Sequence, residues 1–255
     1  MAAMAGTMAS TGTTTSTNKR RDLGRENRPR HWTSYVVPLL AGAIGVLLLI
    51  LAVPRLIAAF IVLPTAPILQ DVRDGKPVSR EDLERLSVSQ IRAAGYVDWG
   101  QLWTDAALAD VTASLLPSIP IEEKLQLLNR ADDSLRKGLS LAPANTFGWA
   151  RFAYVRFVLG DRKQAADAIE MSILTGRYEP RLAPSRLDLA FLVWQSFSED
   201  ARDLLAEQVR WQWKKQPDDL LRSAIRRNMA AIVREQLEEE ERPAFDKRVL
   251  ALSSR

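Results

Sequence analysis

Three pairs of adjacent carboxylates, Glu122-Glu123, Asp132-Asp133 and Asp218-Asp219, and a four-acid run at 238–241 are the residues of this chain best suited to moving protons. Two carboxylates brought together in a cleft are the machinery of general acid–base work, above all the hydrolysis of glycosidic bonds. Their positions argue against it. The pairs fall at or near helix starts, or on opposite faces of helices, where capping and dipole effects explain them. The four-acid run lies in a helical pattern bounded by Pro243, where exposure to solvent explains it. The single histidine, His31, and the absence of cysteine remove Ser-His-Asp and Cys-His nucleophilic arrangements and His/Cys zinc sites from everything beyond residue 31. Neither a D-x-[DN]-x-[DN]-G loop nor a glycine-rich phosphate cradle occurs. The expectation is a chain with no catalytic residue, metal ligand, cofactor or small-molecule substrate, so not an enzyme.

Other residues are suited to binding. Trp99 and Trp103 share a helical face, whereas Trp211 and Trp213 cannot both point the same way, which leaves one of them for solvent beside Arg210, Lys214 and Lys215. An exposed tryptophan in basic surroundings can stack on a partner or a glycan, although core packing is the commoner use. Arg177, Arg181 and Arg186 belong to an expected solvated loop that could receive an anion. The net charge of +4 suggests an anionic partner until it is apportioned along the chain. Six bases and two acids precede Ser34, which leaves 29 of each sign beyond it. The basic excess therefore speaks of topology and lipid headgroups, and no nucleic-acid partner is expected.

The elements that must position these residues begin with an apolar run at 35–53, YVVPLLAGAIGVLLLILAV, inside a stretch with no charge from Trp32 to Pro54. At about 1.5 Å per residue it matches a hydrocarbon layer of roughly 30 Å. Lys19, Arg20, Arg21, Arg25, Arg28 and Arg30 before it put the N-terminus in the cytoplasm and the rest across the membrane, in a bacterium the periplasm. Trp32 and Tyr35 suit one interface, and Arg55 can snorkel to the other. Against a cleaved secretory signal stand the length of the run and the lack of a prompt A-x-A site, and the Ala/Ser/Thr-rich first 21 residues resemble a transit peptide only loosely. The uncharged segment 56–69 contains Pro64 and Pro67 and reads as an extension of the anchor beyond an interruption at Pro54, or as an interfacial segment. The division that follows is a basic tail at 1–31, a transmembrane helix at 32–54, a juxtamembrane extension and linker at 55–78, and a helical domain at 79–255.

That last domain shows no sustained period-two pattern, so the fold class expected is all-α, a single transmembrane helix followed by a helical solenoid or bundle. Ser79 is the expected N-cap of a first helix with Glu81 and Asp82 in its first turn. Ala131, Leu135 and Gly138 recur at a period of 34 as Ala165, Ile169 and Ser172, with Trp149, Phe152, Ala153 and a turn at Gly160-Asp161 between the two sets. Helices at about 185–197 and 199–215 should make a further pair with Leu189, Leu192, Val193 and Val209 inside.

The 34-residue pattern resembles the tetratricopeptide repeat family over about residues 122–177. The rest of the chain matches poorly, and Arg156 and Arg177 stand where the family carries tyrosine and proline. In that family the first helix of each unit lines a concave surface, and the matching positions are Phe147, Ala150, Tyr154 and Phe157. Ala150 and Tyr154 replace the residues that clamp peptide carboxylates in some members, so the resemblance implies an apolar groove for a partner helix. Joined to the apolar run, which is expected to bind the bilayer, it makes the expected function a membrane-anchored scaffold for protein partners of the cell envelope, and the resemblance permits a place in polysaccharide or secretion assembly. The alternative is an accessory subunit held in a larger membrane complex through its apolar helix.

Overall fold

A computed structural model of the chain describes residues 33–253; the expected basic tail, with His31 and the interfacial Trp32, lies outside the described residues. The described residues form twelve α-helices and two single 3-10 turns, without a strand. Two compact units divide the chain, one ending at Leu48 and the other running from Leu49 to the C-terminus.

The first helix, α1, spans Thr33–Val62 and passes through both Pro38 and Pro54. A proline removes one i→i−4 hydrogen bond and strains the turn before it, yet a long helix forms a bond at almost every other residue, so neither proline ends it. The interruption expected at Pro54 is thus absent from the backbone. Just beyond it the Arg55 guanidinium donates to the Leu51 carbonyl at 2.7 Å. The helix ends in a 3-10 turn, Leu63–Thr65, that contains Pro64, and α2 follows at Ala66–Arg73 with Pro67 in its first turn. In its stretch from Tyr35 to Arg73 the chain is long and apolar enough to cross a membrane.

Residues 58–73 pack onto the helical body instead of trailing as a free linker. Ala58 is buried with Ala93, Ala94 and Leu102. Ile68, Leu69 and Val72 cover a second small cluster of Leu83, Leu86, Ala109 and Ala113. Between them the Thr65 and Ser89 hydroxyls meet at 2.7 Å.

The body continues with α3 (Arg80–Ala94), α4 (Gly100–Ser114), α5 (Ile121–Leu141), α6 (Thr146–Val158), α7 (Arg162–Thr175), α8 (Ala183–Leu192), α9 (Glu199–Lys215), α10 (Pro217–Arg226), α11 (Ala230–Gln236) and α12 (Arg242–Ser253). Ser79 caps α3, its hydroxyl accepting from the Asp82 amide at 3.1 Å. Asp161 caps α7 in the same way, from the Gln164 amide at 2.9 Å. From α3 to α7 each helix packs against the next, and α8 to α12 close around the same main core, which runs from Leu135 and Ile169 to Leu220 and Phe245. All six positions of the 34-residue pattern are buried.

The tightest helix crossing is built on glycine. A Cβ on Gly100 would collide with the Gly138 carbonyl oxygen, and one on Gly138 would stand 2.9 Å from the Gly100 carbonyl oxygen, so α4 and α5 meet backbone to backbone. Further expectations need correction. The glutamates 238–241 form the turn between α11 and α12 and not part of a helix: the backbone turns extended at Leu237, and Glu238 and Glu241 lie within 4 Å of Lys214 of α9. The helix expected at 185–197 begins at Ala183 and stops at Leu192, with a 3-10 turn, Trp194–Ser196, after it. Of its partners inside, Val193 and Val209 are buried, while Leu189 and Leu192 are half-buried.

Candidate functional site

α6 owes its start to Asn145. The Asn145 side-chain oxygen accepts from the Gly148 amide at 2.9 Å, while its amide nitrogen donates to the Gln101 side-chain oxygen and to the Thr104 hydroxyl, both at 3.1 Å. One residue therefore caps α6 and fastens it to α4. The Trp149 indole donates to the Pro143 carbonyl at 2.7 Å and meets the Phe152 ring edge-on at 6.1 Å between centroids.

Phe147, Ala150, Tyr154 and Phe157 follow at steps of three and four and so share one face of α6. All four are half-buried, and their surroundings differ. Phe147 lines a concavity of about 570 Å³ together with Trp99, Asn145, Gly176 and Glu179, and the Arg181 guanidinium lies 5.3 Å from its ring centroid. Tyr154 and Phe157 lean on the main core, and burial raises the pKa of the Tyr154 phenol. The face thus offers an aromatic edge at one end, under an arginine, and partly covered apolar surface at the other.

The three arginines expected in a solvated loop separate. Arg177 pairs with Glu207 at 3.0 Å, and Arg181 pairs with Glu179 at 3.3 Å while covering Phe147. Arg186 is not in a loop at all: it belongs to α8 and is 2% exposed. The tryptophans separate likewise, and Trp99 precedes α4 instead of sharing a helical face with Trp103. Trp211 packs on Tyr178 at 5.8 Å, and Trp213 packs on Phe245 at 5.6 Å, so the two point apart and both are half-buried. Lys137 lies 4.7 Å over the Trp103 ring, and Trp99 is 60% exposed.

The buried carboxylates answer arginines and not one another. Asp132, buried in α5, accepts from Arg136 at 2.8 Å and from Arg156 at 3.2 Å, and Arg156 reaches Asp161 at 2.8 Å. Hydrogen bonds from the Gln164 amide and from Arg156 hold the Asp161 carboxyl below its ordinary range. On α4, Asp105 accepts two bonds from Arg73, at 2.9 and 3.0 Å, and Asp110 two from Arg130, at 2.6 and 2.8 Å. Both aspartates are almost fully buried, so each needs such a partner. Sequence reasoning missed them, although two acids within the otherwise uncharged GQLWTDAALADVTAS were a signal of buried pairing. Glu122 and Glu123 sit in the first turn of α5, and Asp218 and Asp219 in that of α10. Among the described residues no group of three or more His, Cys, Asp or Glu is placed to hold a metal ion.

A second and larger concavity, about 920 Å³, lies between α1 from Ile50 onward and the turn that joins α3 to α4. Its lining side chains are apolar except for Arg55, Asp98 and the polar atoms of Tyr96 and Trp99. The sequence marked the segment of α1 involved but not the wall opposite. Comparison of the chain with known protein families, with curated proteins and with solved structures finds no match.

Proposed function

We propose that this chain is a single-pass, membrane-anchored scaffold whose helical body binds protein partners of the cell envelope. In this reading α1 crosses a bacterial inner membrane with the N-terminus in the cytoplasm, and the body, resembling tetratricopeptide repeats, stands in the periplasm. The observation that carries it is the exposure of α1: every residue from Tyr35 to Val53 is exposed, and none of them is charged. So much apolar surface is stable only in an apolar solvent, and a helix is the form in which a single segment satisfies its own backbone there.

The partner surface is the face of α6 with Phe147, Ala150, Tyr154 and Phe157. Its half-buried aromatics leave contact area without opening the core, and the pairing of the buried carboxylates with arginines leaves them to hold helices together. The work done is binding. Tethering raises the local concentration of a partner at the membrane surface, so modest intrinsic affinity suffices for assembly. Photocrosslinking in native membranes tests this, with a photoreactive residue at Tyr154 and a control among the glutamates at 238–241. A specific protein adduct at Tyr154 alone supports the groove and identifies the partner; adducts at neither position remove it.

One observation favours a second reading, an accessory subunit held in a membrane complex through α1. Gly42 and Gly45, flanked by Ala41 and Ala43, carry no side chain to hold another helix away from the backbone of this exposed stretch. Loss of assembly in Gly42→Leu and Gly45→Leu, with no effect of changes at Tyr154 or Phe157, would favour it.

A further inference from the structure

The groove along the second half of α1 has a shape that the scaffold reading leaves unused. Its floor is a single helical stripe, Ile50, Pro54, Ala58 and Val62 at steps of four, flanked by Leu51 and Ala59. The stripe rises about 18 Å. Small side chains in its middle make the helix surface concave, and Ala58 is already covered, at 4% exposure, by the neighbouring helices. The opposite wall is the α3–α4 turn, with Tyr96, Val97 and Trp99, backed by Leu102 of α4. The volume of about 920 Å³ falls inside the roughly 300–1,000 Å³ typical of small-molecule sites.

We propose that this groove holds an acyl chain of a phospholipid drawn from the bilayer that α1 enters. The proposal rests on reading α1 as a membrane span. The groove is continuous with the apolar helix: its open end is made by Ile50 and Leu51, which are 62% and 50% exposed and belong to the uncharged run. In a bilayer that end lies at the depth of the hydrocarbon, where the ligand in excess is an acyl chain.

The rim has the chemistry of the layer above. Arg55 stands one turn beyond Leu51, and its guanidinium is turned back onto the Leu51 carbonyl instead of snorkelling outward as expected; a lipid phosphate beside the groove would compete with that carbonyl for it. Tyr96 and Trp99, 46% and 60% exposed, are the aromatic types that settle at headgroup depth. Beyond Arg55, Leu56, Phe60 and Leu63 keep the rest of the helix surface apolar and exposed, as suits an interfacial position. Asp98 balances Arg55 in the lining, so the groove selects hydrocarbon more than headgroup charge.

The full chain is reconstituted in nanodiscs containing a phosphatidylethanolamine with a diazirine in one acyl chain, irradiated, and mapped by mass spectrometry. Lipid that merely surrounds the helix labels α1 alone, whereas a chain in the groove also labels 96–102. Wild-type labelling at 96–102 is expected to fall about tenfold in Ala59→Phe, which fills the groove from an exposed position and removes about 1.4 kcal/mol of lipid affinity. Labelling at 39–47 is expected to stay constant. Ala66→Phe, at the far end, is an independent variant with the same expected result. Labelling confined to α1, labelling at 96–102 that both variants leave unchanged, or a crosslink to a second copy of the chain at that position would overturn the proposal while the membrane span stands. Release of the wild-type chain from native membranes by alkaline carbonate would instead remove the span itself.

Discussion

The Arg186 guanidinium closes the end of α7 on Ser172: Nη2 donates to the Ser172 carbonyl at 2.7 Å and Nε to the Ser172 hydroxyl at 3.0 Å. Nη1 reaches the Gly176 carbonyl at 2.8 Å, and the Ser172 hydroxyl donates its own proton to the Thr146 carbonyl at 2.9 Å. The last carbonyls of a helix lack intrahelical donors and carry its negative end, so a buried cation there satisfies both needs at once. Burial brings the Arg186 pKa down to about 10, partly opposed by Glu179, and the side chain stays charged at neutral pH.

Arg186→Ala should destabilise the body by about 3 kcal/mol, since it leaves buried carbonyls without a donor. Arg186→Lys should recover only part of this, because one ammonium cannot span three acceptors held in a fork. The midpoint of urea unfolding, followed by circular dichroism on the detergent-solubilised chain, measures both. Equal stability of all three proteins would show that the cap contributes nothing.

Asp188 supplies the pH dependence. Burial pushes its carboxyl up, but hydrogen bonds from Arg227, Ser223 and Arg226 outweigh burial and hold it well below the ordinary carboxylate range. A depressed folded-state pKa means that the unfolded chain takes up the proton first, so the contribution is complete above an unfolded pKa of about 3.9 and is lost as the pH falls toward the folded value. Asp188→Asn should therefore be the less stable protein at pH 7, with the difference shrinking below about pH 4. Unfolding midpoints across an acid series give the comparison, and a constant difference would contradict it.

Gly100→Ala or Gly138→Ala should cost at least about 1–3 kcal/mol, the range for overpacking a core, because the new methyl group meets backbone that cannot swing aside. The double variant should cost less than the sum of the two, since one separation of α4 from α5 relieves both clashes. A thermal or urea unfolding series on the four proteins tests the coupling.

Ile44→Arg should weaken membrane integration. A central arginine costs about 2.5–3.5 kcal/mol on insertion scales, and the expected result is a larger share of chain released by alkaline carbonate. Lys76→Ala serves as the control, because its partners Asp71 and Asp74 are themselves substantially exposed. Equal release of both would argue against α1 as the anchor.

Signals that act within a few residues are legible in the sequence. Ser79 is the cap expected, because a short oxygen-bearing side chain there meets a free amide three residues on, and Asp161, expected only as part of a turn, caps α7 for the same reason. The helix expected at 199–215 matches α9 at both ends, between the Ser198 cap and Pro217. The 34-residue pattern identified residues that are buried in fact, because small and apolar side chains at helical spacing have one dry face to occupy.

Signals of charge and proline mislead where the deciding partner is distant. Arg186 reads as a loop cation because its acceptors, Ser172 and Gly176, are supplied by the end of another helix. Asp105 and Asp110 find Arg73 and Arg130 only once positions 32 and 20 residues apart have been folded together. The order of residues by itself determined the all-helical character of the described residues and one long uncharged apolar segment, since periodicity and hydropathy are properties of neighbours along the chain. Which helices touch, which charges are buried, and that α1 from Ile50 onward and the α3–α4 turn enclose a groove were decided by tertiary structure alone, because a cavity is the space between surfaces whose sequence separation carries no record of their distance.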